Sequence, residues 1–349
     1  MTRKSLSRLW SGEKGEALIN LIIGIHYEKI TNGGDELREV RQLEKAPDMD
    51  EYATTKITTM GNILEVVTMQ KNGSGCPCKK LDKDHYLDTR TGEVLEYQHI
   101  ENRSESTRSI RNTLARIRAL VNTNVINPDN VRWCTFTYAE NMTDTERLYQ
   151  DFRKFWQKFK RWCMKHGHGV PEYITVQEPQ GRGAWHIHAF FIWDRKAPYI
   201  DNNAVMAKLW GHGFTSTKAL NDCDNIGAYF SAYLGDMPLE DVARLPADEQ
   251  KKACTATAVL EKEFTDEQGR TKTKKFVKGG RLYLYPAGMN IIRTTKGIKQ
   301  PDIEITTLAD AKEKVSSAKL TYSCAYEIVG EDGEVVNRIS KSYYNSKRS

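Results

Sequence analysis

Residues 184–193 read AWHIHAFFIW, and residues 172–178, just upstream, read EYITVQE. Both runs are rich in β-branched and aromatic residues, and the string between them, PQGRG at 179–183, is turn-forming. The pair therefore predicts an antiparallel hairpin. Strand side chains alternate between faces at period two, so His186 and His188 project from one face and Ile187, Ala189 and Phe191 from the other. Glu178 joins the histidine face if an odd number of residues separates it from His186, and seven do. Two imidazoles and a carboxylate on one face can hold a divalent cation and leave coordination positions open, as a catalytic metal requires. Taken alone, the same histidines read equally well as hydrogen-bonded strand residues.

Working outward, VRWCTFTYA at 131–139 reads as a buried strand, and Thr143 followed by Glu146 predicts a capping box opening a long helix. Leu148, Phe152, Phe155, Phe159 and Cys163 form its apolar stripe, and Gly167 is the natural stop. Arg153, Lys154, Lys158, Lys160, Arg161 and Lys165 fall largely outside the stripe, which by itself describes a solvated basic face. Before the strand, Ile110, Leu114, Ile117 and Leu120 within 104–121 predict an amphipathic helix. Beyond the hairpin, residues 225–234 predict a short helix closed by Gly235. It places Tyr229 and Tyr233 one turn apart beside a stripe of Ile226, Phe230 and Leu234. The tyrosines either widen the buried face or serve as nucleophiles toward phosphate, a role a phenol takes on beside an activating metal. Strand, helix, hairpin and helix in that order predict an α+β fold, an antiparallel sheet with flanking helices.

The rest of the chain sets bounds. Its 349 residues carry a net charge of +6, a mild excess that permits a polyanionic partner. Residues 251–300 hold twelve Lys and Arg against four acidic residues, with Tyr283 and Tyr285 interleaved, as either a single-strand-binding surface or a solvated loop would. Cys76 and Cys78 with His85 resemble part of a zinc site but lack a fourth ligand at a usual spacing, so a reduced loop is favoured. Seven scattered cysteines fit reduced thiols, and no apolar run is long enough to span a bilayer or lead a secretory signal, so the expected location is cytosolic. Residues 57–69 read as strand-like, 84–99 as a hairpin and the last fifty as another hairpin with a basic tail. The predicted division is an accessory region at 1–105, a catalytic domain with a basic hairpin at 106–300, and a C-terminal hairpin at 301–349.

The ordered set TFTY at 135–138, HIH at 186–188 and YFSAY at 229–233 resembles the three motifs of HUH endonucleases, the enzymes that initiate rolling-circle replication. The flanking strings YAENMTD, YITVQEPQGRGAWHIH, KGGRLYLYP and RTTKGIKQP resemble bacterial plasmid and phage replication initiators of the filamentous-phage gene II type. The resemblance implies an RRM-like palm of the HUH/Rep type and a site-specific nickase of a bacterial cytoplasm, with origin recognition the expected role of the accessory region. Tyr229 or Tyr233 would attack an origin phosphodiester, leaving a 5′-phosphotyrosine and a free 3′-hydroxyl. His186, His188 and Glu178 would hold Mg²⁺ or Mn²⁺. Arg153, Lys154, Lys158, Arg161, Arg182, Lys272, Lys274, Lys275 and Arg281 would contact phosphates of origin DNA, single-stranded or hairpin. Relatives often carry lysine three residues after a catalytic tyrosine, where this chain has Ala232 and Asp236. No phosphate loop of the G-x-x-x-x-G-K-[ST] type is present, so a host helicase and single-strand-binding protein are implied partners. A relaxase or transposase with the same chemistry, or a DNA-binding regulator without catalysis, remains an alternative.

Overall fold

The computed structural model describes residues 30–31, 37–71, 78–89, 91–96, 107–180, 183–220, 225–227, 234, 236–254, 259–265, 271–277, 280–286, 288–330 and 332–348. In chain order its first strands are β1 (Ile30–Thr31), β2 (Leu37–Leu43), β3 (Thr54–Met60), β4 (Ile63–Met69), β5 (Cys78–Lys80), β6 (His85–Asp88) and β7 (Val94–Glu96). There follow α1 (Thr107–Asn124), β8 (Val131–Thr137), α2 (Thr145–Lys165), β9 (Glu172–Pro179), β10 (Trp185–Ile192), β11 (Thr215–Ala219), β12 (Met237–Pro238), α3 (Leu239–Val242) and α4 (Ala247–Cys254). The remainder are β13 (Val259–Thr265), β14 (Thr271–Val277), β15 (Ile292–Thr294), β16 (Asp302–Thr307), α5 (Leu308–Lys314), β17 (Lys319–Val329) and β18 (Val335–Asn345). The architecture is α+β with antiparallel sheets, as the motif order predicts.

The chain divides into two compact units, Thr59–Ile63 with Asn102–Asp302, and Ile25–Thr58 with Leu64–Glu101 and Ile303–Ser349. In the first, five strands form an antiparallel sheet ordered β11-β8-β10-β9-β15. Helix α2 covers one face. Its Phe155 ring lies 4.6 Å from Phe136 of β8, and its Phe159 ring 4.8 Å from Phe191 of β10. Trp156 stacks on Phe191 as well. Each such fully buried ring contributes roughly 2–3 kcal/mol of burial free energy. Ile117, Leu120 and Val121 of α1 join the same core, along with Ile226, Leu234 and Tyr285.

Two local readings need correction. The α2 N-cap is Asp144, not Thr143: its carboxylate accepts from the amides of Glu146 at 2.8 Å and Arg147 at 3.1 Å. A charged acceptor satisfies two orphan amides beside the positive end of the helix dipole, so the cap moves one residue along. The stretch 57–69 is a hairpin of β3 and β4 rather than one strand, because Gly61 turns with φ +62°, a conformation favouring glycine.

Gly213 makes a close approach just before β11. A Cβ there would meet Ala139 N at 2.4 Å and Thr137 O at 2.5 Å, both backbone atoms at the end of β8. Neither atom can yield without breaking the strand end, where Ala139 N donates to His212 O at 2.9 Å. Gly213→Ala is therefore expected to lose about 2 kcal/mol or more of stability, read as a lower urea midpoint at unchanged slope.

The second unit centres on a seven-stranded sheet ordered β1-β2-β17-β18-β4-β3-β16. Strands from both ends of the sequence thus share one sheet. Helix α5, capped by Thr307 Oγ1 accepting from Asp310 N at 3.2 Å, packs Ala311 against Ile57 and Val66. Smaller sheets are β5-β6-β7 and β12-β14-β13. Among the described residues no helix is long and apolar enough to cross a membrane.

Candidate active site

The hairpin register puts the predicted ligands on one face of the sheet. His186 pairs with Glu178 on β9 and with Thr137 on β8, while His188 pairs with Val176 and Thr135. Paired residues share a face, so His186, His188, Glu178, Thr135 and Thr137 all project from the side of the sheet opposite α2. His188 Nε2 lies 2.5 Å from Glu178 Oε2, and Thr135 Oγ1 lies 3.3 Å from the other ring nitrogen, Nδ1. The two imidazole rings are 6.4 Å apart and nearly perpendicular. Trp133, stacked on Phe190, stands 6.3 Å from the His188 ring on the same face.

The site is sheltered. Side-chain exposure is 13% for His188 and 9% for Glu178. Burial pushes the His188 imidazole down to about 4, because charging a ring out of water is costly. The Glu178 charge is met by Arg281, whose guanidinium bonds its other oxygen, Oε1, so the neighbouring ring need not protonate to balance it. His188 is thus neutral near pH 7.

Among the described residues no three His, Cys, Asp or Glu side chains are gathered around one point. The donor chemistry nonetheless fits a divalent ion. At 2.5 Å His188 Nε2–H donates to Glu178 Oε2 while Nδ1 accepts from the Thr135 hydroxyl; if Nε2 gave up that proton, a ring nitrogen and a carboxylate oxygen would be left side by side as donors for a cation.

The remaining predicted site residues are scattered. Tyr229, Tyr233 and Arg182 lie outside the described residues. The two ends of the tyrosine segment are described, and both are tied down. At one end Gly227 N donates to Asn122 Oδ1 of α1 at 2.8 Å, and Asn122 Nδ2 donates to Asn225 Oδ1 at 2.9 Å. At the other, the Tyr285 hydroxyl lies 3.1 Å from Leu234 O and 3.2 Å from Gln177 O, the residue before Glu178. Tyr285, only 1% exposed, is a core strut and not the base-stacking surface that its place in a basic stretch suggested. Tyr283 is half-buried and donates to Glu249.

Arg153, Lys154, Lys158 and Arg161 are exposed on α2, on the side of the helix turned away from the sheet and hence from the histidine face. Lys275 is exposed on β14, whose Lys274 is in register with Lys262 and Lys272 with Phe264. Arg281 is not a surface cation at all, having 16% side-chain exposure and its partner in Glu178. Of the cysteine-histidine set, Cys76 lies outside the described residues, and His85 Nδ1 bonds the Asp82 carboxylate at 3.0 Å. The structural roles of three residues that build the site escaped sequence reasoning. Thr135 could have been found by period-two alternation along β8, whereas nothing local marks Asn122 or Tyr285 as clamps.

The site is thus an antiparallel sheet with imidazoles and a carboxylate on one face and helix α2 on the other, within an α+β domain. Residues 131–237, from the first residue of β8 to the start of β12, match the family model of replication-associated proteins of the ORF2/gene II protein type. The match agrees with the gene II-type resemblance and takes in all three motifs. Among curated proteins none matches the chain.

Proposed function

We propose that this protein initiates rolling-circle replication by nicking one strand of its origin. The observation that carries the reading is the meeting of His188 and Glu178 on the face that also bears His186. Leu234, the residue that follows Tyr233 in the sequence, is joined to the strand of Glu178 through Tyr285. The phenolic oxygen of Tyr229 or Tyr233 forms a bond to the origin phosphorus as the bond to the 3′-oxygen breaks. The phenol proton is lost and the 3′-oxygen departs as a hydroxyl. The 5′-phosphotyrosine conserves the ester, so attack by a 3′-hydroxyl reseals the strand without ATP. A second tyrosine four residues away in the sequence allows a further transfer at termination. His186, His188 and Glu178 would hold Mg²⁺ or Mn²⁺, which when bound draws electron density from the phosphate and offsets its charge. Thr135 keeps the His188 ring oriented, and the sheltered sheet face limits water.

The test is incubation of the full chain with 3′-labelled single strands spanning candidate origins and Mn²⁺, followed by a denaturing gel. A label that migrates with the protein supports the reading; retained binding with no adduct on any origin strand replaces nicking with a regulatory role.

The Tyr285 strut gives a graded expectation. Tyr285→Phe keeps the ring in the core but removes the hydroxyl that joins Leu234 to Gln177. Adduct formation should slow about tenfold, with DNA affinity unchanged, because one hydrogen bond of about 1 kcal/mol then no longer holds Leu234, next to Tyr233 in the sequence. Single-turnover rates against filter-binding isotherms separate the two quantities.

A further inference from the structure

Helix α2 carries one kind of charge on its outer surface from residue 152 onward. Residues 152–171 hold six cations, Arg153, Lys154, Lys158, Lys160, Arg161 and Lys165, and no Asp or Glu. Lys154, Lys158, Arg161 and Lys165 are spaced i, i+4, i+7 and i+11, so they form one ridge along the helix, and all four are exposed. Arg161 and Lys165 make no ion pair among the described residues. Lys154 has a 3.9 Å contact with Asp151, a carboxylate it shares with Arg147, and Lys158 reaches the backbone oxygen of Leu209 at 3.5 Å. Like charges three and four residues apart destabilise a helix, and an anion lying along the ridge offsets that repulsion.

A solvated basic face accounts for the charge but not for what stands at the end of the ridge. Trp162, next to Arg161, stacks within 7° of parallel on buried Phe159, with ring centres 6.1 Å apart. The rings of His166 and His168 lie 4.6 and 5.1 Å from Trp162 and within 13° of parallel to each other. The loop that carries them is held in place. His166 Nδ1 donates to Trp162 O at 2.8 Å, Arg195 Nη2 to Gly167 O at 3.2 Å and Trp193 Nε1 to Gly169 O at 3.3 Å. His166 is exposed and Trp162 and His168 are half-buried, so the cluster is anchored in the core at one end and open to solvent at the other.

We infer that this surface is a binding site for single-stranded nucleic acid, with phosphates along the ridge and bases against Trp162, His166 and His168. It is separate from the histidine face, because Phe155 and Phe159 turn the opposite side of α2 to the sheet. At 1.5 Å per residue the ridge runs about 16 Å from Lys154 to Lys165, long enough to follow several phosphates of one strand. Every base has a face that stacks on an aromatic ring, but paired bases are already stacked on one another, so a duplex suits the ridge and not the cluster. An acidic peptide would supply the charge without the flat rings. The inference goes beyond nicking and does not need it, since no adduct enters its readout.

The test uses the full chain with a mixed-sequence strand of about 12 nucleotides and the duplex of the same length. Lys154→Gln, Lys158→Gln and Arg161→Gln combined should make the dependence of log affinity on log salt shallower by about 2. At about 0.1 M salt that is roughly a hundredfold loss of affinity, from three phosphate contacts at about 0.7 each. The charge-matched control, Lys312→Gln with Lys314→Gln and Lys319→Gln on exposed residues of the other unit, should keep the wild-type slope. Trp162→Leu should weaken binding of the strand about tenfold and leave the duplex unchanged. A strand carrying 5-iodouracil should cross-link on irradiation to residues within 162–168. An unchanged slope in the α2 variant, or the same loss in the control, overturns the inference. So does a Trp162→Leu variant that binds the strand as the wild type does, or that weakens strand and duplex alike. If Trp162→Leu does not fold, the cross-link carries that half: attachment to Trp162, His166 or His168 supports the site, and its absence from 162–168 overturns it.

Discussion

The double variant Tyr229→Phe with Tyr233→Phe should form no covalent adduct with any origin strand, a loss of at least about 10³-fold, while binding the same strand as tightly as the wild type. Phenylalanine keeps the ring and removes only the oxygen that would bond to phosphorus, so a packing explanation of the loss is excluded by the substitution itself. Binding should persist because affinity for DNA comes from Lys and Arg contacts with phosphates, and its dependence on salt counts those contacts rather than the tyrosines. Single variants sharpen the result. If one tyrosine cuts first, only its replacement should abolish the initial adduct, and the other should affect transfer from an already joined strand. The measurement is a denaturing gel with label on the 3′ side of the candidate nick, together with a salt titration of binding. An adduct from the double variant would move the nucleophile elsewhere.

Much of the domain around this segment was legible from periodicity. The apolar stripe of α2 and the odd spacing from Glu178 to His186 are local signals, and both elements form as read, with Glu178 in register with His186. What escaped was of three physical kinds. Some features depend on competition between neighbours of equal propensity, as where Asp144 displaces Thr143 as the cap. Some depend on which face of an element is buried. The cations of α2 form a basic face as the pattern says, but the aromatic stripe places that face on the far side of the sheet from the histidines. The rest depend on contacts distant in sequence. Arg281 meets Glu178 across 103 residues, and Tyr285 reaches Gln177 across 108. In the other unit, β2 and β17 pair as Ala325 with Leu43, a partnership no local pattern announces. The basic composition of 251–300 suggested a surface for Arg281 and Tyr285, and burial drew both inward because each has a polar partner there.

That buried polar set gives the second large effect. His188→Ala should reduce adduct formation by about 10²-fold or more at any Mn²⁺ or Mg²⁺ concentration short of mass-action rescue, and His186→Ala should do the same. The argument starts from the sheet. Two imidazoles two residues apart on β10 are held by pairing on both sides, to β8 and β9, so neither neighbour can shift to fill a missing donor. For His188 the loss is compounded. Its ring stands between Thr135 and Glu178, and without it Glu178 keeps the Arg281 contact as its remaining side-chain hydrogen bond among the described residues. The variant should still fold, because the aromatic core on the opposite face is untouched, and it should still bind DNA with the wild-type salt slope. Calorimetric Mn²⁺ titration beside single-turnover adduct rates distinguishes a lost ligand from a lost fold. Weakened Mn²⁺ binding with an unchanged melting temperature is the expected pair. Wild-type adduct rates in His188→Ala would mean that the imidazoles of β10 are structural and that the chemistry, if present, lies at another face.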